Sequence, residues 1–319
     1  MKKVLVTVPF SAKQKERIIS EFQGAEVDFM NPEDVTAKQL GKYNALVGNL
    51  PVSILKDMNN LEWIQLNSSG ADAYAKLGAV PLDTVLTCST GAYGLGISEY
   101  MVGMLMVMMK KIPAYLDSQK TGVWSDHGQV ESPFGKRVLL VGTGNIGLEF
   151  AKRMRAFGCE LVGIRNRVNI CPQELDAVYG VEDLQKQVRI ADVIAVSLPG
   201  TEKSFHMFNK EILMACKKGS YFMNVGRGTA IDNQALLEKE VYENFGGIWL
   251  DVCETEPLPD GDPLYKIPGM LITPHITGGF HLEKTVDNIL DIAVTNFNAW
   301  MGTGEFIHSV SRKDGYSLK

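Results

Sequence analysis

The segment RVLLVGTGNIG, residues 137–147, constrains the fold more than any other stretch of the chain. An apolar run, Val138–Val141, meets three glycines spaced G-x-G-x-x-G, and a helical pattern then continues to about Phe157. In the strand–turn–helix unit that this order predicts, the glycines permit a tight turn, a close approach of pyrophosphate and close helix packing. The helix N-terminus adds free N–H groups and partial positive charge. The segment therefore predicts a dinucleotide-binding site.

The chain is longer than one core usually holds, so its 319 residues are expected to form two domains. Strands alternate with helices on both sides of the apolar helix predicted at Ile97–Lys111, which indicates parallel sheets. The predicted fold class is α/β, with two Rossmann-like/flavodoxin-like parallel-sheet domains and a cleft between them. We expect a substrate-binding domain at residues 1–97, completed by 292–319, and a dinucleotide-binding Rossmann domain at residues 98–291.

Charge and cysteine usage limit the classes of partner. The net charge of −5 argues against nucleic acid and anionic membrane surfaces. The most apolar run, Met101–Met109, is far shorter than the roughly twenty residues of a spanning helix. The five cysteines form no C-x-x-C pair, which is typical of reduced thiols, so we expect a cytoplasmic protein without a metal site.

Polar segments follow three strands of the second predicted sheet. The first, Asn224–Gly228, places Arg227 between two glycines at a strand end. A guanidinium there can bind a carboxylate through two parallel hydrogen bonds, and the glycines leave space around it. A surface salt bridge is the alternative explanation, but a flanked arginine on such a loop favours a binding role.

The two other segments place acids and a histidine at strand ends. Asp251–Pro259 is an acidic turn stiffened by prolines, a composition that also suits a merely solvated loop. Thr273–Gly279 places His275 after a strand, next to Pro274 and before a glycine pair. Histidine titrates near neutral pH and suits general acid/base catalysis, although a lone histidine is more often structural. A neighbouring carboxylate would fix its tautomer.

Four motifs in a fixed order connect the chain to a known family. They are GTGNIG at 142–147, NVGRGTAID at 224–232, LDVCETEPLP at 250–259 and TPHITGG at 273–279. With them the chain resembles the D-isomer-specific 2-hydroxyacid dehydrogenase family over nearly its whole length. SLPGTEKS at 197–204 is similar to the family's strand-end segment over the cofactor, which more often reads PLTxxT.

The resemblance implies an enzyme whose catalytic residues are Arg227, Glu256 and His275. Arg227 would bind and polarise a 2-keto acid, His275 would exchange the proton and Glu256 would orient the imidazole. The implied activity is that of a D-2-hydroxyacid dehydrogenase, or 2-ketoacid reductase, an NAD(P)-dependent oxidoreductase acting on the CH–OH group. It moves a hydride reversibly between the cofactor and a small 2-keto or 2-hydroxy acid. The resemblance also implies a homodimer, with Ile97–Lys111 at the interface, and a first domain that closes over the cofactor.

The predicted binding residues form two sets. Those expected to bind the substrate are Ser68, Ser69, Gly70, Arg227 and His275. Those expected to bind the cofactor are Gly142, Gly144, Asn145, Ile146, Gly147, Arg165, Asn166, Arg167, Leu198, Pro199, Thr201, Ser204, Val225, Gly226, Arg227, Asp251, His275 and Gly278. Asp251 matches the family residue that contacts the nicotinamide amide.

The residues after the second strand of the cofactor domain bear on the choice between NADP and NAD. NAD sites carry an Asp or Glu about twenty residues beyond the glycines to bind the ribose 2′-hydroxyl. Here the strand leads into Arg165, Asn166 and Arg167 instead. Because arginines attract a 2′-phosphate, the sequence favours NADP, with NAD still possible. A solvated basic loop in an enzyme that accepts either cofactor is the alternative.

Two other functions are compatible with this scaffold. One is a cofactor-sensing, non-catalytic binding protein of the corepressor type, against which the intact Arg227, Glu256 and His275 argue. The other is a formate dehydrogenase, which resembles this family but lacks the glutamate, so Glu256 argues against it. The substrate stays open among glyoxylate, hydroxypyruvate, phosphorylated serine precursors and branched 2-keto acids.

Overall fold

The structure is a computed structural model that describes residues 1–166, 168–313 and 315–317. The chain divides into two units, one formed by Met1–Tyr93 with Phe280–Lys319 and the other by Gly94–Gly279. The sequence placed these junctions after residues 97 and 291. In the structure the first long helix, from Gly94, belongs whole to the second unit, and the last helix, Glu283–Trp300, belongs whole to the first.

The first unit contains a parallel sheet whose strands alternate along the chain with short helices. In the part of the chain that the structure describes, its strands are β1 (Lys2–Val6), β2 (Ala25–Phe29), β3 (Ala45–Val47), β4 (Trp63–Gln65) and β5 (Val85–Thr87), in the order β2-β1-β3-β4-β5. Its helices before the junction are α1 (Ala12–Glu21), α2 (Ala37–Leu40), α3 (Val52–Leu55) and α4 (Asp72–Ala75). Helix α1 begins where it does because Ser11 and Gln14 form a capping box.

The second unit holds the larger sheet. Its strands are β6 (Arg137–Val141), β7 (Glu160–Ile164), β8 (Ala177–Tyr179), β9 (Val193–Val196), β10 (Ser220–Asn224), β11 (Phe245–Leu250) and β12 (Met270–Ile272). Over the described residues they lie in the order β12-β11-β10-β9-β6-β7-β8, and the pairings are parallel. The order reverses between β6 and β9, and open α/β sheets bind ligands at the carboxyl ends of strands at such a reversal.

Helices cover this second sheet. They are α5 (Gly94–Met109), α6 (Ile112–Thr121), α7 (Asn145–Ala156), α8 (Leu184–Val188), α9 (Lys210–Ala215), α10 (Asn233–Leu236) and α11 (Lys239–Tyr242). The central strands are nearly continuous apolar runs that are fully buried, as in Val193–Val196. Such runs are typical of parallel strands covered on both faces.

The last helix, α12 (Glu283–Trp300), is part of the first unit. Its Phe297 ring stacks on Phe22 with centroids 4.0 Å apart, and Asp287 accepts a 2.7 Å hydrogen bond from Gln14. The fully buried Asn296 donates a 2.7 Å bond to Gln65 in β4. The elements β5, β8 and α6 are short or only weakly amphipathic, and the sequence did not predict them.

Candidate active site

The glycine turn after β6 has the shape that a pyrophosphate requires. Gly142 has φ +105°, and a Cβ there would lie 2.8 Å from the Ser197 carbonyl oxygen, so glycine is required. A Cβ on Gly147 would lie 2.2 Å from the Gly142 oxygen, whereas a Cβ on the exposed Gly144 would meet nothing within 4 Å. The turn is therefore tight at its base and open at the residue that faces outward.

Helix α7 begins directly at this turn, with Gly144 as its N-cap and no capping side chain from the described residues. The first N–H groups of a helix lack intrahelical partners, and here they belong to Asn145, Ile146 and Gly147. Since α7 runs for twelve residues, its N-terminus also carries partial positive charge. The open side of Gly144 and these uncapped N–H groups fit the phosphates of a dinucleotide.

The segment after β9 packs against the glycine turn across the point of strand reversal. Ser197 Oγ donates a 3.1 Å hydrogen bond to the Gly142 carbonyl oxygen. Leu198, Pro199 and Thr201 follow with partly or largely exposed side chains. Ser204 differs from them, because it is 5% exposed and its hydroxyl donates a 2.7 Å bond to the Pro199 carbonyl oxygen. In this structure Ser204 holds the segment in shape.

The end of β7 carries the predicted cofactor-selecting residues. Arg165 is partly buried, and its Nη1 donates a 3.1 Å bond to the Ile170 carbonyl oxygen. Asn166 is exposed. Arg167, the third predicted residue of this group, lies outside the described residues. Neither described residue is acidic.

The loop after β10 holds Arg227. Asn224 is fully buried, accepts the Gly226 N–H at 3.0 Å through its Oδ1 and donates to the Arg227 carbonyl oxygen at 3.0 Å. A Cβ on Gly226 would lie 2.5 Å from the Leu198 nitrogen, so this glycine lets the two neighbouring loops touch. Val225 is 6% exposed and hydrogen-bonds to β9 through its backbone. Arg227 itself is partly exposed, and its Nη1 donates to the Gly226 carbonyl oxygen at 3.1 Å.

Glu256 and His275 form a hydrogen-bonded pair at the ends of the next two strands. Nδ1 of His275 lies 2.7 Å from Oε2 of Glu256, and Oε1 of the same carboxylate accepts the Cys253 N–H at 3.0 Å. The side chains are 49% and 37% exposed for His275 and Glu256. Because Nδ1 faces the carboxylate, Nε2 is the ring nitrogen left to meet a reacting group.

Asp251 fixes the backbone turn that carries His275. It is 2% exposed, and its carboxylate accepts the hydroxyl protons of Thr273 at 2.5 Å and Thr277 at 2.6 Å, together with the N–H groups of Ile276 and Thr277. The His275 N–H donates to the Asp251 carbonyl oxygen at 2.8 Å, and His275 adopts φ +51°. Asp251 thus holds the turn of His275 in shape, a role that sequence reasoning missed although threonines flank His275 on both sides. Gly278 is partly buried in the same turn.

The acidic turn itself contains a buried thiol, that of Cys253. Burial is the main cause that raises the pKa of the Cys253 thiol to about 11, and the nearby charges of Glu256, Asp262 and Asp251 act in the same direction. The thiol is therefore uncharged at neutral pH and contributes apolar packing rather than a nucleophile.

In the first unit, Ser68, Ser69 and Gly70 form a polar loop at the carboxyl end of β4. Asn49 accepts the Asn67 N–H at 3.0 Å and donates to Ser68 Oγ at 3.0 Å, while Ser68 Oγ donates to the Gly70 carbonyl oxygen at 2.7 Å. Among the described residues, the N–H groups of Ser69 and Gly70 have no acceptor. Successive N–H groups of this kind bind anions.

Other functional features are not found in the described part of the chain. Among its helices none is both long and apolar enough to cross a membrane. Its His, Cys, Asp and Glu side chains form no group that could hold a metal ion.

A parallel α/β unit with a glycine turn at the strand reversal, and an Arg, Glu and His at neighbouring strand ends, defines a dinucleotide-dependent enzyme. The profile of the "D-isomer specific 2-hydroxyacid dehydrogenase, NAD binding domain" matches residues 102–277, more than half of the chain. The chain therefore belongs to the D-isomer specific 2-hydroxyacid dehydrogenase family.

Individual relatives agree with this assignment. The chain is 30% identical to a formate dehydrogenase of Arabidopsis thaliana, over 70% of this chain, and spans 59% of that protein. It is 27% identical to the glyoxylate/hydroxypyruvate reductase HPR3 of the same plant, over 82% of this chain and 81% of that protein. A solved structure of a D-isomer specific 2-hydroxyacid dehydrogenase family protein from Aeromonas salmonicida superimposes with a TM-score of 0.86, at 27% identity over 98% of this chain and 99% of the other.

These comparisons confirm the predicted family, the two parallel-sheet α/β domains and the class, an NAD(P)-dependent oxidoreductase of the CH–OH group. They also confirm a nicotinamide dinucleotide as the cofactor. The roles of individual residues stay predictions, as do the predicted domain limits.

Proposed function

We propose that the protein is a D-2-hydroxyacid dehydrogenase that reduces a small 2-keto acid, with His275 as the general acid/base. The observation that carries the proposal is the 2.7 Å contact between Glu256 and Nδ1 of His275. The pair and Arg227 follow the carboxyl ends of neighbouring strands, because β10, β11 and β12 are parallel neighbours. A proton donor and a guanidinium at one edge match the needs of a carbonyl that becomes an alkoxide.

His275 delivers the proton in the direction of reduction. Glu256 accepts from Nδ1 and so fixes the tautomer and the ring plane, which directs Nε2 toward the substrate oxygen. In the reverse direction the same Nε2 accepts the proton of the 2-hydroxyl group. Proton transfer by a positioned side chain contributes about 10²–10⁴ in rate.

Arg227 supplies the charge that stabilises the developing alkoxide. Its guanidinium forms hydrogen bonds with the carbonyl and carboxylate oxygens of the keto acid. In the first unit, the N–H groups of Ser69 and Gly70 are the proposed carboxylate-binding groups, in keeping with their lack of acceptors among the described residues. Asp251 acts through the turn of His275 that it holds.

The turn at Gly142–Gly147, the Leu198–Thr201 segment and Arg165 would hold the cofactor, which supplies the hydride when bound. We propose NADP as the preferred form. The support is the absence of an acid at Arg165 and Asn166, the described positions where an NAD site carries one. The guanidinium of Arg165, held by the Ile170 carbonyl, would attract a 2′-phosphate.

We also propose a homodimer formed through α6 and the segment 122–134. Large apolar side chains that are each more than one third exposed are concentrated here: Ile112, Tyr115, Leu116, Val123, Trp124, Val130 and Phe134. Trp124 is fully exposed in the isolated chain. Patches of this kind mark interfaces. Helix α5, the interface expected from the sequence, precedes this segment; its Tyr100 is exposed, while Met101, Leu105, Met108 and Met109 are buried. Light scattering should give two chains for the natural protein and one for Trp124→Glu.

We propose a reducing compartment such as the cytoplasm as the place of action. The support is that the cysteines, four of them buried and Cys171 exposed, are free thiols.

The experiment that tests the activity is a panel of 2-keto acids, with the loss of NADPH and NADH absorbance followed separately. Glyoxylate and hydroxypyruvate should be reduced, and His275→Gln should abolish turnover while NADPH still binds. No turnover with any 2-keto acid, together with tight NADPH binding, would favour the cofactor-sensing binding protein. Formate belongs in the same panel with NADP and NAD, since one relative is a formate dehydrogenase; its oxidation would overturn the proposal.

A further inference from the structure

A second histidine–glutamate pair lies close to the first. Nε2 of His206 lies 2.8 Å from Oε1 of Glu254, and the two side chains are 31% and 30% exposed. Glu254 precedes the catalytic Glu256 by two positions in the same turn. His206 ends the segment that follows β9 and contains Leu198 and Thr201. The pair therefore joins the cofactor-facing segment to the turn of Glu256.

The position of His206 is fixed on several sides. Its backbone adopts φ +45°, which non-glycine residues rarely do and which persists where the surroundings impose it. Its N–H donates to the Thr229 carbonyl oxygen at 2.8 Å, and its ring stacks on Phe205 with centroids 4.0 Å apart and planes 13° apart. Thr229 lies two residues after Arg227. His206 is thus held to the Arg227 loop through its backbone and to the Glu256 turn through its ring.

The turn that carries Glu254 has no room to shift toward the Arg227 loop. A Cβ on Gly228 would lie 1.9 Å from the carbonyl carbon of Cys253 and 2.5 Å from the nitrogen of Glu254. The Arg227 loop therefore lies against one side of the turn, and the His206 ring holds its Glu254 side chain. Inside the turn, the Cys253 N–H donates to Glu256 at 3.0 Å. Glu254 is thus held one residue after Cys253, whose N–H fixes the carboxylate that orients His275.

We propose that His206 and Glu254 are positioning residues, and that their pair holds Glu256 in the orientation that His275 requires. The same pair keeps the Leu198–Thr201 segment in place beside the Arg227 loop. This inference rests on the proposed dehydrogenase function and adds two residues outside its catalytic set. An exposed ion pair by itself contributes little, so the effect comes from geometry rather than from net attraction.

Removing the pair should lower kcat more than it weakens binding. We expect Glu254→Ala and His206→Ala each to reduce kcat about tenfold, since a misplaced catalytic group costs rate steeply. The KM for the 2-keto acid should stay within about twofold, because Arg227 and the Ser69–Gly70 loop are untouched. Glu254→Gln keeps an oxygen that accepts from the imidazole and should restore most of kcat. The double variant should be no slower than either single one, because both remove the same contact.

Glu211→Ala provides the matched control. Glu211 accepts a 2.8 Å bond from Gln185 in the same unit and is not part of the turn that carries Glu254 and Glu256, so its loss should leave kcat unchanged. NADPH affinity, measured by fluorescence titration, and Tm are recorded for every variant. A kcat equal to that of the natural protein in Glu254→Ala, or additive losses in the double variant, would overturn the inference. If the natural protein itself reduced no 2-keto acid, the proposed function would fail instead, which is a separate result.

Discussion

The carboxylate of Glu256 is held at both oxygens, by the His275 ring at 2.7 Å and by the Cys253 N–H at 3.0 Å. A carboxylate with one oxygen fixed by the backbone cannot rotate freely, so it defines the plane of the imidazole that it contacts. His275 is fixed independently, because its backbone N–H donates to the Asp251 carbonyl oxygen at 2.8 Å. The pair is therefore preorganised by its own unit before any substrate binds.

Glu256→Gln should lower kcat without weakening cofactor binding. The amide keeps the size of the side chain and one acceptor, but loses the charge that stabilises a protonated imidazole. We expect a loss of about 10²-fold or more in kcat, within the range attributed to positioned proton transfer. Steady-state kinetics and NADPH titration measure the two effects. The control is Asp262→Asn, at a carboxylate that caps a short turn further along the chain, and this variant should retain kcat. A kcat in Glu256→Gln equal to that of the natural protein would contradict the assigned role.

Gly144→Ala should impair cofactor binding, whereas Gly147→Ala should impair the stability of the fold. A Cβ at Gly144 meets nothing within 4 Å, so the variant should keep its Tm and lose NADPH affinity, because the methyl group occupies the approach of the pyrophosphate. A Cβ at Gly147 would lie 2.2 Å from the Gly142 oxygen, so this variant should be destabilised. Calorimetry and fluorescence titration separate the two results. Full NADPH affinity in Gly144→Ala would contradict the proposed cofactor site.

Strands and helices with an extended apolar or amphipathic pattern could be predicted from the sequence. The apolar run Val138–Val141 lies in the observed strand Arg137–Val141, and the helix after the glycine turn is observed at Asn145–Ala156. The short strand Ala177–Tyr179 lies at the sheet edge and is only partly buried, so its three residues carry no distinct pattern. Three-residue strands depend on a neighbouring strand rather than on their own composition.

The sequence could propose the residues of the candidate site but not the contacts that support them. The family resemblance implies Arg227, Glu256 and His275, whereas the residue types alone also allow structural explanations for the acidic turn and the histidine. The resemblance assigns Asp251 to the cofactor site, and the sequence did not predict the four hydrogen bonds that its buried carboxylate accepts from residues 273–277. Contacts between residues more than twenty positions apart depend on strand order, which a single sequence does not reveal. The pairing of His206 with Glu254 went unnoticed for the same reason.

Arg165→Asp should weaken the use of NADPH selectively. An acid at this strand end repels a 2′-phosphate and accepts a hydrogen bond from a 2′-hydroxyl. The variant should show a KM for NADPH raised about tenfold or more, the equivalent of roughly 1.4 kcal/mol, and a KM for NADH that is unchanged or lower. Arg189→Asp, elsewhere in the same unit, controls for the change of net charge. An equal loss with both cofactors would mean that Arg165 has only a structural role.

Asn49→Ala should raise the KM for the 2-keto acid. Asn49 holds the Ser68–Gly70 loop through two hydrogen bonds of 3.0 Å. Without them the loop no longer fixes the direction of the N–H groups proposed to bind the carboxylate. We expect about a tenfold rise in KM with little change in NADPH affinity, as for the loss of a hydrogen bond to a charged group. Asn44→Ala is the matched control, since Asn44 accepts the Lys3 N–H and lies at the amino end of β3, whereas the Ser68–Gly70 loop lies at the carboxyl end of β4. An unchanged KM in Asn49→Ala would argue against this loop as the carboxylate site.

Cys171 should be the first thiol to react in the folded protein. Burial raises the pKa of Cys216 to about 12 and that of Cys159 to about 11, and it is the largest cause that raises the pKa of Cys253 to about 11. A raised thiol pKa means that the neutral form persists, so at pH 8 these side chains hold almost no reactive thiolate. Cys171 is exposed. Reaction with a disulfide reagent at pH 8 should show one fast phase, which Cys171→Ser removes.

The same shifts predict that the fold weakens in alkali. Between pH 9, the ordinary thiol value, and about 11, the unfolded chain loses thiol protons that the native state retains. Stability is therefore fully present below pH 9 and declines as the pH rises through this window, because the native state binds more protons. Urea unfolding at pH 8, 9.5 and 10.5 measures the slope. Cys216→Ala should flatten it, whereas Cys171→Ser should leave it unchanged; equal slopes in the natural protein and Cys216→Ala would contradict the assignment to this buried thiol.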